Sequence, residues 1–95
     1  MGINESQTIV EALVRARADL ARRLGVEKIE ISEGAVEQTE FSDAALGAPV
    51  NDEMSAQVIT PGWRIRLEAQ NKSYEYRAAG KQLRLHNFNG ENYRI

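Results

Sequence analysis

Apolar residues recur in this chain at two different periods, and the change between them separates a helical N-terminal third from a sheet-forming remainder. From Glu5 to Leu24, the residues Ile9, Leu13, Ala16, Leu20 and Leu24 follow one another at helical spacing. That spacing sets them on one stripe of an α-helix. Asn4, with Gln7 three residues on, predicts an N-terminal capping box, and Gly25 predicts a left-handed C-terminal cap. Glu11 stands one turn before Arg15, and Asp19 one turn before Arg23. Both spacings predict ion pairs on the solvent face.

Beyond the helix the pattern shortens to alternation. Ile29 and Ile31 are set among Lys28, Glu30 and Ser32, which predicts a strand over Val26 to Ser32 with one buried face. Ser32-Glu33-Gly34 reads as a turn and Val36 to Phe41 as a second strand. After a long polar stretch, Gln57 to Thr60 is short and β-prone, and Pro61-Gly62 fits the centre of a type II turn. Trp63, Ile65, Leu67 and Ala69 then face one way while Arg64, Arg66 and Glu68 face the other. Asn71-Lys72 marks a hairpin tip, and Tyr74, Tyr76 and Ala78 continue the inward face on the returning strand. Ala79-Gly80-Lys81 turns the chain again before Leu83 and Leu85.

Asn89-Gly90 is a type I′ hairpin signal, but a two-residue loop there sets Leu85 opposite Arg94 and Arg84 opposite Ile95. The two faces disagree, so either a bulge shifts the register or the tail is loosely held. The predicted fold is α+β: one N-terminal amphipathic helix packed on a curved antiparallel sheet of about four to five strands. Residues 1–95 read as a single domain.

Composition narrows the chemistry. An apolar share of 42% and a charged share of 27% fit a globular domain and argue against disorder. A net charge of -2 offers no general attraction to nucleic acid or to an anionic membrane. No run of residues is long and apolar enough to span a bilayer, and the start lacks the regions of a signal peptide, so the expectation is a cytoplasmic protein without membrane contact. With no cysteine there is no disulfide, no thiolate nucleophile and no zinc finger.

The unusual segment is Phe41 to Gly62, a long polar loop running into a strand. Among its acidic residues and their neighbours, Glu40, Asp43, Asp52 and Glu53 could offer oxygen ligands to a hard cation, but their spacing is not that of a calcium loop and solvated carboxylates are the expectation. Asp43, placed just before Ala44-Ala45-Leu46-Gly47, is suited to hold the loop by accepting backbone N–H bonds. His86 is the only histidine and has no serine or paired carboxylate near it in sequence, so it reads as a strand-surface residue and no catalytic residue, metal or cofactor is expected. Arg64, Arg66, Arg77 and Arg84 fall on the outer face, opposite Trp63, Tyr74 and Tyr76. Sheets that bind nucleic acid usually need aromatic residues on the same open face, so this placement argues against nucleic acid.

Four pieces of the chain resemble a small uncharacterised prokaryotic domain family: DLARRLGV (Asp19 to Val26), SDAALGAP (Ser42 to Pro49), QVITPGWRI (Gln57 to Ile65) and SYEYR (Ser73 to Arg77). The resemblance implies kinship of fold and brings no activity. Members of that family usually carry a cysteine after the LG and another near the C-terminus, and often look exported. Here Ala48 stands at the first of those positions, so the resemblance implies neither a crosslink nor export for this chain. The order of elements is also similar to that of PepSY-type domains, which implies protease regulation or a binding role.

The expectation for function is a non-catalytic binding module, with a protein as the partner. The Ser42 to Ala56 loop and the Pro61-Gly62 turn would form its surface, with Asp43, Leu46, Pro49, Val50, Met54, Pro61 and Gly62 as the candidate residues. Two alternatives stand beside it. The loop could occupy a protease cleft as an inhibitor does, or fold back as a lid serving stability alone.

Overall fold

The computed structural model describes residues 7–95. The helix α1 (Ile9–Leu24) begins after Thr8, whose Oγ1 accepts the Glu11 N–H at 3.1 Å while the Glu11 carboxylate accepts the Thr8 N–H at 2.7 Å. This reciprocal box satisfies two backbone donors that a helix start leaves open. The cap predicted at Asn4 lies outside the described residues, and the helix starts at Ile9 rather than Glu5. Gln7 ties the helix to the sheet, its N–H donating to the Gly80 carbonyl at 3.1 Å and its Nε2 to the Gln82 carbonyl at 2.7 Å. Gly25 closes the helix at a φ of 68°, as predicted.

Val26 to Ser32 does not form the predicted strand. Lys28–Glu30 is a single 3-10 turn, closed because the Glu30 carboxylate reaches back to the Glu27 N–H at 2.9 Å. The turn separates the two isoleucines, leaving Ile29 91% exposed and Ile31 buried.

The sheet is an antiparallel meander of five strands, β1 (Ser32–Phe41), β2 (Thr60–Ala69), β3 (Lys72–Ala79), β4 (Gln82–Phe88) and β5 (Glu91–Arg94), paired in chain order and not closed. Ser32-Glu33-Gly34 lies inside β1 instead of forming a turn, and a bulge between Glu33 and Val36 absorbs one extra residue. Pro61 and Gly62 likewise lie within β2, opposite Glu40 and Thr39 of β1, so the predicted type II turn is absent. Pro61 is tolerated because β3 pairs with β2 only from Trp63 onward, so the proline has no ladder partner on that side. Gly62 is required by close approach: a Cβ there would sit 2.2 Å from the Ala78 carbonyl oxygen.

The β2–β3 turn is Gln70-Asn71, both at positive φ, one residue before the predicted tip. Asn89-Gly90 forms its two-residue turn, and a bulge containing Asn87, at a φ of 54°, brings Tyr93 opposite Leu85. Of the two alternatives for the tail, the register shift is the one that occurs.

The sheet has two covered faces. On the first, Ile65, Tyr76, Leu85 and Tyr93 form a row across four strands, beneath Ala12, Ala16 and Leu20 of α1. Trp63 is half-buried at the margin of this core. Asp19 departs from its predicted solvent-face role. It is 4% exposed, accepting the Tyr76 hydroxyl as well as Arg22 and Arg23, each at 2.7 Å. Burial, first, and the hydrogen bond to Asp19 push the Tyr76 hydroxyl far above the ordinary tyrosine range. The predicted Asp19–Arg23 pair forms, but buried, whereas Arg15 bonds the Gln7 side chain and the Ile95 carbonyl instead of Glu11. On the second face, Arg64, Arg77, Arg84 and Arg94 stand in one cross-strand row, and the segment between β1 and β2 lies over its middle, at Arg77 and Arg84.

Candidate functional site

Residues 42–59 hold the segment singled out by its polarity, and their path is set by a small number of polar contacts. Asp43 Oδ1 accepts the N–H groups of Ala45 (3.0 Å) and Gly47 (2.9 Å), the loop-holding role its position predicts. The turn thus formed drives Leu46 into the sheet, where it is fully buried with Phe41 and Ala79 in a second small core. Leu46 adopts a φ of 59°, a conformation that costs a non-glycine residue about 1 kcal/mol or more. Burying the whole leucine side chain is worth about 1.5–3 kcal/mol, which is enough to hold it there.

The arginine row fastens the loop from below. Arg77 Nη1 donates to the Leu46 carbonyl at 3.0 Å, and Arg84 Nη1 to the Ala48 carbonyl at 3.2 Å. Gln82 holds the Ala44 carbonyl at 2.9 Å and Asn92 the Pro49 carbonyl at 2.8 Å. Arg84 also makes a two-pronged ion pair with Glu53, at 2.5 and 2.7 Å. With its side chain 5% exposed, Arg84 is not the solvent-face residue predicted from its alternation. Hydrogen bonds from Arg84, and next from the Val50 N–H, hold the Glu53 carboxyl at about 2, well below its ordinary 4.5. Glu53, read from sequence as a solvated carboxylate, is thus structural, as Asp43 is by its predicted role. Among the described residues no group of three or more His, Asp or Glu is placed to hold a metal ion.

The candidate contact residues separate accordingly. Leu46 is sealed in the interior and Asp43 is occupied by the loop's own backbone. Val50 is half-buried, and Pro49 is exposed but tied through its carbonyl. Met54 projects fully, at 96% exposure, and Val58 and Ile59 follow it at 54% and 67%. Pro61 and Gly62 line a shallow groove of about 490 Å³ with Gln38, Thr39, Glu40 and Trp63. Sequence reasoning missed Gln82 and Asn92 as anchors, and it missed Val58 and Ile59 by assigning them to a strand. On the open part of the same face, Glu75 lies 2.7 Å from Arg77, 3.4 Å from Arg64 and 4.0 Å from His86. Partial burial and then the Arg77 charge hold His86 below the ordinary histidine range, against the opposing pull of Glu75.

The Asp43 bonds are testable on their own. Asp43→Ala is expected to lower the unfolding free energy by about 1 kcal/mol in urea denaturation, the usual loss for a side chain that caps backbone donors. Asp43→Asn keeps an acceptor oxygen and should lose less than half as much.

One helix on a five-stranded meander, with a fastened loop closing the opposite face, defines a small α+β scaffold domain that carries one elaborate loop. The chain belongs to the family described as a domain of unknown function, DUF8738, whose pattern matches residues 13–86. The matched region takes in Asp43, Glu53, Gln82 and Arg84, so four of the loop's fasteners lie within the family domain. No curated protein and no solved structure matches the chain. No helix among the described residues is long and apolar enough to cross a membrane.

Proposed function

We propose that the domain is a non-catalytic protein-interaction module whose contact surface is the outer rim of the loop, from Met54 to Ile59, together with the adjoining groove at Pro61, Gly62 and Trp63. One observation carries this reading. The segment is held on either side of Met54, at Glu53 by Arg84 of the sheet and at the Ala56 carbonyl by the Ala44 N–H across the loop, yet three large apolar side chains within six residues point into water. Burying each would be worth about 1.5–3 kcal/mol. A loop that tucks Leu46 fully inward has the means to fold apolar groups away, so a lid serving stability alone does not account for those left outside. Holding the segment still before contact also lowers the ordering cost of association.

The reading is tested with a photo-crosslinking amino acid placed at Met54 or Ile59 in cells, and at Ile29 as a highly exposed apolar control remote in sequence. A discrete adduct from the first two positions that is absent at Ile29 is the expected result. The same diffuse products from all three would remove the proposal. Protease inhibition is a second reading, favoured by the rigidity that packing gives a loop without a disulfide. Stoichiometric inhibition of any member of a serine, cysteine and metalloprotease panel supports it, and simple cleavage between Met54 and Thr60 disposes of it.

A further inference from the structure

The outer edge of β1 pairs with no strand among the described residues, and its second half is regular. From Val36 to Phe41 every residue keeps register with β2, from Ile65 back to Thr60, beyond the bulge that interrupts the first half. An edge of this length is a template for another strand unless charge, proline or a covering element blunts it. β1 contains neither proline nor lysine, but it carries Glu33, Glu37 and Glu40 and no basic residue. Glu33 is engaged by Arg17 at 3.1 Å. Glu37 and Glu40 are exposed and have no ion pair among the described residues. Pairing of two copies along this edge would bring acidic strands together, which disfavours a second copy and favours a basic partner.

We infer that Val36–Phe41 accepts an extended segment of a partner protein as an additional antiparallel strand, and that this segment carries two basic residues three positions apart with a large apolar residue between them. The inference rests on the interaction reading above and names the chemistry of its partner. Glu37 and Glu40 lie on opposite faces of β1, because alternate residues of a strand point to opposite sides. Residues three apart on an added strand do the same, so one basic side chain meets each glutamate. Gln38 stands opposite Trp63 and lines the groove with it, on the same face as Glu40 and two positions away. An apolar side chain of the partner at that level lies beside the half-buried indole. Main-chain hydrogen bonds would supply the affinity and the alternating side chains the selectivity, the usual division in strand addition.

The test is selection of random twelve-residue peptides displayed on phage against the full chain, followed by affinity measurement of the winners. The expected result is enrichment of peptides with two Lys or Arg residues three apart around an apolar residue. Their binding should weaken at least tenfold in Glu37→Lys/Glu40→Lys, and similarly when salt is raised from about 50 to about 500 mM. Gln38→Pro, which removes an edge N–H, should abolish binding; the charge-reversed double variant, altered only at exposed positions, keeps the test decisive if the proline disturbs folding. Peptides that bind the charge-reversed variant as well as the wild type but fail against Met54→Asp/Ile59→Asp would overturn the strand-addition inference and leave the loop reading standing. Failure to enrich any peptide would count against both.

Discussion

Glu53→Gln is expected to cost about 3 kcal/mol of stability at neutral pH and to release the loop from the sheet. The size follows from which partner is left behind. An exposed ion pair contributes only about 0–1 kcal/mol, whereas removing one member of a buried pair costs about 3–5 kcal/mol because the other charge stays desolvated. Arg84, its side chain 5% exposed, belongs with the second case, and Glu53, at 18%, moderates it toward the lower end. The Ala48 carbonyl and the Gln82 side chain still accept from the stranded guanidinium, but neither carries a charge.

The pH dependence has a definite sign. The folded-state pKa of Glu53, about 2, lies below its ordinary 4.5, so the ionised carboxylate favours the folded state. Its contribution is complete above about 4.5 and disappears as the pH falls toward about 2. The stability difference between wild type and Glu53→Gln should therefore narrow through that window in urea titrations at stepped pH. Replacing both partners, as in Glu53→Leu/Arg84→Met, should recover more than half of the loss, since no buried charge then remains. Amide exchange in residues 44–50 should speed up in the single variant and largely recover in the double. A single variant within about 0.5 kcal/mol of wild type would show that solvent screens the pair and that the loop is held by Leu46 instead.

How much of this arrangement could be read in advance depended on whether a residue's neighbours in sequence were also its neighbours in space. The α1 stripe and the alternation of β2 to β4 were readable because each buries one face against the same core, so burial leaves a period in the sequence. The paired bulges had different fates. Near Asn89-Gly90 the clash of Leu85 with Arg94 was visible by counting, and a register shift resolves it. In β1, by contrast, Val36 to Phe41 was legible as a strand, but the polar start SEGA has too few apolar residues to show a period, so the bulge there left no mark. Pro61-Gly62 has the composition of a turn, yet its chemistry serves an unpaired flank and a close backbone approach. The loop was noticed for its length, and Asp43 for its position. Its fasteners were beyond reach, since Arg84 and Glu53 lie thirty-one residues apart and meet only once β3 and β4 have folded. An arginine in an alternating strand has the pattern of a solvent-face residue whether water or a loop covers it.

The same limit concealed the polar centre of the helix face, where the other large effect is expected. Asp19→Ala should lower stability by about 3 kcal/mol, more than the few tenths that an exposed helical pair contributes. The substitution leaves the Tyr76 hydroxyl without its acceptor beneath α1 and withdraws the shared counter-charge of Arg22 and Arg23. Of the two arginines, Arg23 matters more, because its side chain is 18% exposed against 71% for Arg22. Arg23 also stacks over the Tyr93 ring at 4.3 Å and the Phe88 ring at 5.6 Å, which fixes the carboxylate's orientation and joins α1 to the end of the sheet. Tyr76→Phe removes only the hydroxyl and leaves Asp19 with both arginines, so its expected loss is about 1 kcal/mol. Combining the two substitutions separates the contributions: in Asp19→Ala/Tyr76→Phe the orphaned hydroxyl is gone, and the double variant should be less destabilised than the sum of the singles by about 1 kcal/mol. Strict additivity in thermal or urea denaturation would mean that the hydroxyl and the carboxylate act independently, and that α1 is held to the sheet by its apolar stripe alone.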